Sequence, residues 1–233
     1  MTGAWVQRFD LVTRVVHWVT AALALVLVLT GTILYVPELS AAIGRRATLN
    51  TIHVVAGLAL PIPLLLGVLA GRAGRRLRHD LVELGRWDPT DGAWFRRRGR
   101  HRLPREERPV PAGKFNGGQK LVAALFGGAF AVQLMTGAIM HWNKPFPDDW
   151  RTGATFVHDW AYLVLVVLTI GHVLKAFEEP EPCAAMIHGR APVAWAAKAR
   201  PGWLSVQALD GGVDGDVDQD GAGVGERPPQ DVG

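Results

Sequence analysis

The sequence predicts an all-α fold, an integral membrane four-helix bundle with both termini cytoplasmic and a disordered C-terminal tail. Three observations carry this. Of 233 residues, 49% are apolar and only 20% charged. The apolar ones gather into four runs of about 20, each able to cross a hydrocarbon core of about 30 Å at about 1.5 Å per residue. Basic residues concentrate in one connector. A single cysteine, Cys183, excludes an internal disulfide framework, a covalently attached c-type haem and a thiolate-held iron–sulfur cluster. Any redox centre must therefore draw on other ligands, and eight histidines are present.

The first span, about 15–36, holds His17 and Trp18 and no Asp, Glu, Lys or Arg. Its apolar stretch exceeds the roughly 7–15 residues of a signal-peptide core and no clear cleavage site follows, so it is expected to be retained. The second, about 51–70, contains His53 and is interrupted by Pro61 and Pro63. A kinked rather than broken helix is expected, because neighbouring helices can satisfy the backbone groups that proline frees. The third, about 121–140, is rich in Ala123, Ala124, Gly127, Gly128 and Gly137, small residues that suit close packing in lipid. The fourth, about 155–177, carries His158 and His172.

Orientation follows from the basic residues, which hold loops on the cytoplasmic side. The connector 71–114 contains twelve arginines and Lys114, whereas Arg45 with Arg46 and Lys144 with Arg151 are the only basic residues of the other two connectors. Residues 1–203 are thus expected to form the membrane domain and 204–233 a disordered acidic tail. That tail has seven acidic residues against Arg227, about −6, so the rest of the +4 chain is near +10. Attraction to anionic membrane lipid suffices to explain this excess, and no nucleic-acid partner is expected. Asp216, Asp218, Asp220 and Gly221 mimic the start of a calcium loop, but Arg227 stands where the bidentate Glu would be, so no calcium site is assigned.

Ionisable residues inside membrane spans point to function. His158 and His172 are about 21 Å apart along one helix and only about 40° apart in rotation, so they share a face. With the chain entering from the inside, His17 and His172 lie near the cytoplasmic surface and His53 and His158 near the outer one. Facing imidazoles in a bundle can bind one haem iron from both sides, leaving no open coordination site, so such a haem relays electrons. Each histidine can instead hydrogen-bond within the bundle. His141, beside Trp142 at the outer end of the third span, is expected to anchor the interface; His79, His101 and His188 are expected to be solvated.

The third span is introduced by Gly113-Lys114-Phe115-Asn116-Gly117-Gly118-Gln119-Lys120. Asn116 with Gln119 three residues on reads as a helix cap; the same Asn side chain and the glycine N–H groups can also hydrogen-bond a quinone carbonyl at the positive helix end. Together with Arg14-Val15-Val16-His17-Trp18, Ile52-His53-Val54-Val55-Ala56-Gly57, Val157-His158, Gly171-His172, Trp195-Ala196-Ala197-Lys198 and Pro201-Gly202-Trp203, this motif resembles the cytochrome b, or gamma, subunit of membrane-bound respiratory formate dehydrogenase over about residues 5–203. Lys175, three residues after His172, and His141-Trp142 depart from that pattern without removing a histidine.

The resemblance implies a quinone-reducing subunit with two b-type haems, an inner one on His17 and His172 and an outer one on His53 and His158. Asn116 and Gly118 would contact the quinone. Arg14 would meet a haem propionate or serve as an ordinary basic flank. It also implies an iron–sulfur subunit, a molybdenum or tungsten catalytic subunit where formate is oxidised, and a place in the bacterial plasma (inner) membrane. Three alternatives remain, one of them a purely structural membrane anchor with no cofactor. A hydrogenase or another molybdopterin enzyme would change the donor alone, whereas a histidine-lined metal or proton transporter would change the class.

Overall fold

The computed structural model describes residues 4–98, 113–142, 144–209 and 213–214. In chain order these form β1 (Trp5–Gln7), α1 (Leu11–Tyr35), α2 (Pro37–Ile43), α3 (Arg46–Ala59), α4 (Ile62–Leu69), α5 (Arg75–Gly85), α6 (Pro89–Arg98), α7 (Gly117–His141) and α8 (Asp148–Glu178). After α8 come α9 (Pro180–His188), β2 (Arg190–Pro192), α10 (Val193–Ala199), α11 (Pro201–Leu209) and β3 (Val213–Asp214).

Four helical segments are long and apolar enough to cross a membrane: α1, α3 with α4 as Arg46–Leu69, α7 and α8. This is a membrane protein with the predicted four spans. α1 starts at Asp10, whose carboxylate accepts from Thr13 N–H at 2.8 Å, a side-chain cap. The second span bends between α3 and α4 at Leu60 and Pro61, where Leu60 N–H turns to the Gly57 carbonyl and Leu65 N–H reaches the Pro61 carbonyl. Each proline lacks an N–H, so the ladder shifts instead of continuing. α1 packs on α3 and α4, α3 on α7, α7 most extensively on α8, and α8 returns to α1, which closes the bundle. Large side chains such as Leu69 and Phe177, 77% and 80% exposed, point outward, as lipid contact requires.

The buried core lies at one end of the bundle. Val6, Phe9, Phe115, Ala185, Ala191, Ala196 and Trp203 form it, drawn from β1 and the turn that follows it, the segment before α7, and the elements after α8. β1 is the central strand of a small antiparallel sheet, paired with β2 through Val6 and Ala191 and with β3 through Val6 and Val213. This cap adds detail that the sequence did not specify. The connector 71–114 contains α5 and α6, and the order runs past Trp203 through α11 to Leu209 and again at Val213–Asp214. The rest of the acidic tail, with the calcium-loop mimic, lies outside the described residues.

Arg8 sits in the cap, 2% exposed. Its guanidinium lies 4.8 Å from the Trp195 ring, 5.2 Å from Trp203 and 5.3 Å from Phe9, and donates to the Lys114 carbonyl at 3.1 Å. Burial, then the nearby Arg200 charge, pushes the guanidinium down; the aromatic faces offset that cost through cation–π attraction. Lys114 Nζ reaches both Asp80 oxygens at 2.7 Å and Lys120 Nζ reaches Asp91 at 2.7 Å. The two lysines of the 113–120 motif thereby pin the connector helices to α7. Burial pushes the Asp80 carboxyl up and the Lys114 ammonium down, and the partner's charge offsets part of each shift.

Candidate cofactor site

α8 carries two histidines fourteen positions apart, and each finds a partner from another span. Nearer the cap, His172 faces His17 of α1 with ring centres 6.3 Å apart and planes inclined at 47°. At the far end His158 faces His53 of α3, 6.2 Å apart and inclined at 70°. Two imidazoles bound to opposite sides of one metal ion, at about 2.0–2.1 Å per metal–nitrogen bond, have ring centres roughly 6.3 Å apart. Both centroid separations match that spacing.

Hydrogen bonds orient the distal pair. Thr30 Oγ1 lies 2.8 Å from His53 Nδ1, and Thr136 Oγ1 lies 2.9 Å from His158 Nδ1. Each hydroxyl donates its one proton to a carbonyl four residues back, Val26 or Val132, at 2.7 Å. The threonine oxygens must then accept, both Nδ1 atoms donate, and both Nε2 lone pairs remain free. That is the tautomer a metal ligand needs. On the cap side, His17 Nδ1 is buried with no hydrogen-bond partner among the described residues, and His172 meets Phe126 edge-on at 5.8 Å.

The other sequence candidates divide. Arg14 donates to the Ile187 carbonyl and Trp18 Nε1 to the Met186 carbonyl at 3.2 Å, tying α1 to α9. Asn116 is the N-cap of α7: its side chain accepts from Gln119 N–H at 2.8 Å, and Gln119 Oε1 accepts from Asn116 N–H at 3.1 Å. Gly118 lies under the Trp94 ring, where a Cβ would come within 2.5 Å of Cη2. His141 is exposed beside Trp142, and His79 and His188 are exposed; His101 falls outside the described residues. His79 groups with Asp80 and Glu83, but both carboxylates already serve Lys114. Thr30 and Thr136 escaped the sequence reading, although each is followed by glycine, a repeat that could have flagged them.

The family model for prokaryotic cytochrome b561 matches residues 8–189, a stretch containing all four paired histidines. The chain belongs to the prokaryotic cytochrome b561 family. Membership in that family implies b-type haem, and the chain is a membrane electron-transfer subunit of cytochrome b561 type, related to formate dehydrogenase cytochrome b. This cytochrome b561 family chain is 22% identical over 204 residues to the nitrate-inducible formate dehydrogenase cytochrome b556(Fdn) subunit of Escherichia coli strain K12. The match covers 85% of this chain and 89% of the relative. The corresponding subunits of Escherichia coli O157:H7 and Shigella flexneri match to the same extent.

Proposed function

We propose that the chain carries electrons through two b haems, each held by two histidines, from an iron–sulfur partner to quinone in a respiratory formate dehydrogenase. Formate itself would be oxidised in a molybdenum or tungsten subunit. The observation that supports this best is the presence of two imidazole pairs at 6.3 and 6.2 Å on opposite halves of one bundle. His17 and His172 would hold the cap-side haem, His53 and His158 the distal one. Such a haem, when bound, would supply one-electron transfer.

The chain's own residues do the rest. Thr30 and Thr136 keep Nε2 of the distal histidines unprotonated. Leu165, buried at 7% exposure, stands midway in sequence between the two α8 histidines and adds an apolar side chain between the two pairs. Asn116 and Gly118, at the positive end of α7, would present N–H groups to a quinone carbonyl and stabilise charge arriving there. In this reading the cap faces the cytoplasm, with the arginine-rich connector beside it, and the chain resides in the bacterial inner membrane. Proton uptake on the cap side then accompanies quinone reduction and builds the transmembrane potential.

A reduced-minus-oxidised visible spectrum with haem and protein quantified on the natively assembled complex tests the proposal. Two b haems per chain are expected; a chain without haem overturns the reading. Co-purification of a formate-oxidising subunit tests the donor, and a hydrogenase in its place would reassign it.

A further inference from the structure

We propose that two repeated Thr-Gly seats, Thr30-Gly31 and Thr136-Gly137, position the distal histidines and make the distal haem harder to reduce than the cap-side haem. The inference rests on the two-haem reading above. Each seat sits on a helix other than the one bearing its histidine: α1 seats His53 of α3, and α7 seats His158 of α8. Thr30 and Thr136 are 7% and 6% exposed, and their bonds to Val26 and Val132 fix them as acceptors. The following glycine matters most at Gly137, where a Cβ would be tighter than usual against the ring, whereas at Gly31 it would make ordinary contact. A Cβ on Gly31 would stand 3.5 Å from His53 Cε1, and one on Gly137 only 3.3 Å from His158 Cε1.

A histidine whose Nδ1–H donates to a neighbour becomes a more basic ligand through Nε2. Stronger donation stabilises the more positive, oxidised iron and lowers its reduction potential. Among the described residues no such bond supports the cap-side pair: His17 Nδ1 has no hydrogen-bond partner, and His172 makes ring contacts with His17 and Phe126. Two chemically identical ligand sets are thus distinguished by what stands behind them. The difference favours electron flow from the distal site to the cap side, toward Asn116.

The test is a spectroelectrochemical titration of the complete complex carrying Thr30→Val or Thr136→Val, with Thr→Ser at each position as the conservative partner. His53→Ala identifies the distal transition by removing it. Valine should raise the distal midpoint, leave the cap-side midpoint in place, and weaken distal haem retention on the order of 10–100-fold; serine should restore all three. The electron paramagnetic resonance signal of the oxidised distal haem should change in the valine variants only. An unmoved distal midpoint with both haems retained overturns the proposal, as does an equal shift of both midpoints. If valine abolishes the distal haem, recovery with serine supports the seat and failure of serine overturns it. Wild-type protein lacking two haems would instead defeat the underlying two-haem reading.

Discussion

Asn116 caps α7, and substitution can separate that role from the proposed quinone contact. Asn116→Asp keeps an oxygen to accept from Gln119 N–H, now at 2.8 Å, but removes the side-chain N–H donors. Quinone reduction should slow in this variant while thermal stability stays near wild type. Asn116→Ala should add a loss of about 1 kcal/mol from the missing cap; wild-type turnover in Asn116→Asp would assign the residue to capping alone. At the histidines, His17→Ala or His172→Ala should remove the cap-side haem and His53→Ala or His158→Ala the distal one, read from the visible spectrum. The histidines were legible because the residue type is rare in lipid and a fourteen-residue interval on one helix fixes both depth and face. The threonines were not, because a threonine in a span ordinarily returns its proton to the i−4 carbonyl, and Thr30 and Thr136 do so too. Only the folded bundle shows what their second lone pair accepts.

At the scale of elements, every span could be read, but its ends could not. α8 runs over Asp148–Glu178 against an apolar stretch of about 155–177, because Asp148 and Asp149 favour the positive helix start and extend it beyond the hydrophobic window. Lys175, unexpected near its end, is paired with Glu178 and Glu179 at 2.9 Å. The connector hid α5 and α6 because its arginine content dominates a reading by charge, while the acids that fasten it are few. Asp80 and Lys114, with side chains 7% and 9% exposed, form a pair whose disruption from one side leaves a buried charge. Asp80→Asn or Lys114→Met should each cost about 3–5 kcal/mol, and Asp80→Leu combined with Lys114→Met should recover most of it. Thermal unfolding in detergent measures this; costs that simply add would show the two residues to be independent.

For the whole molecule, the single cysteine supplies a native reporter of orientation. Cys183 lies in α9 on the cap side and is partly exposed. A membrane-impermeant thiol reagent should label it in inverted vesicles and spare it in intact cells; the opposite pattern would reverse the proposed topology and exchange the inner and outer haems. The cap also has a consequence for how the chain is made. Arg8 emerges from the ribosome 195 residues before Trp203, one wall of its cage. At about 5–20 residues per second, that interval lasts on the order of 10–40 s. Through it the Arg8 guanidinium lacks that wall, so the cap-side end of the bundle can close only after all four spans have been made.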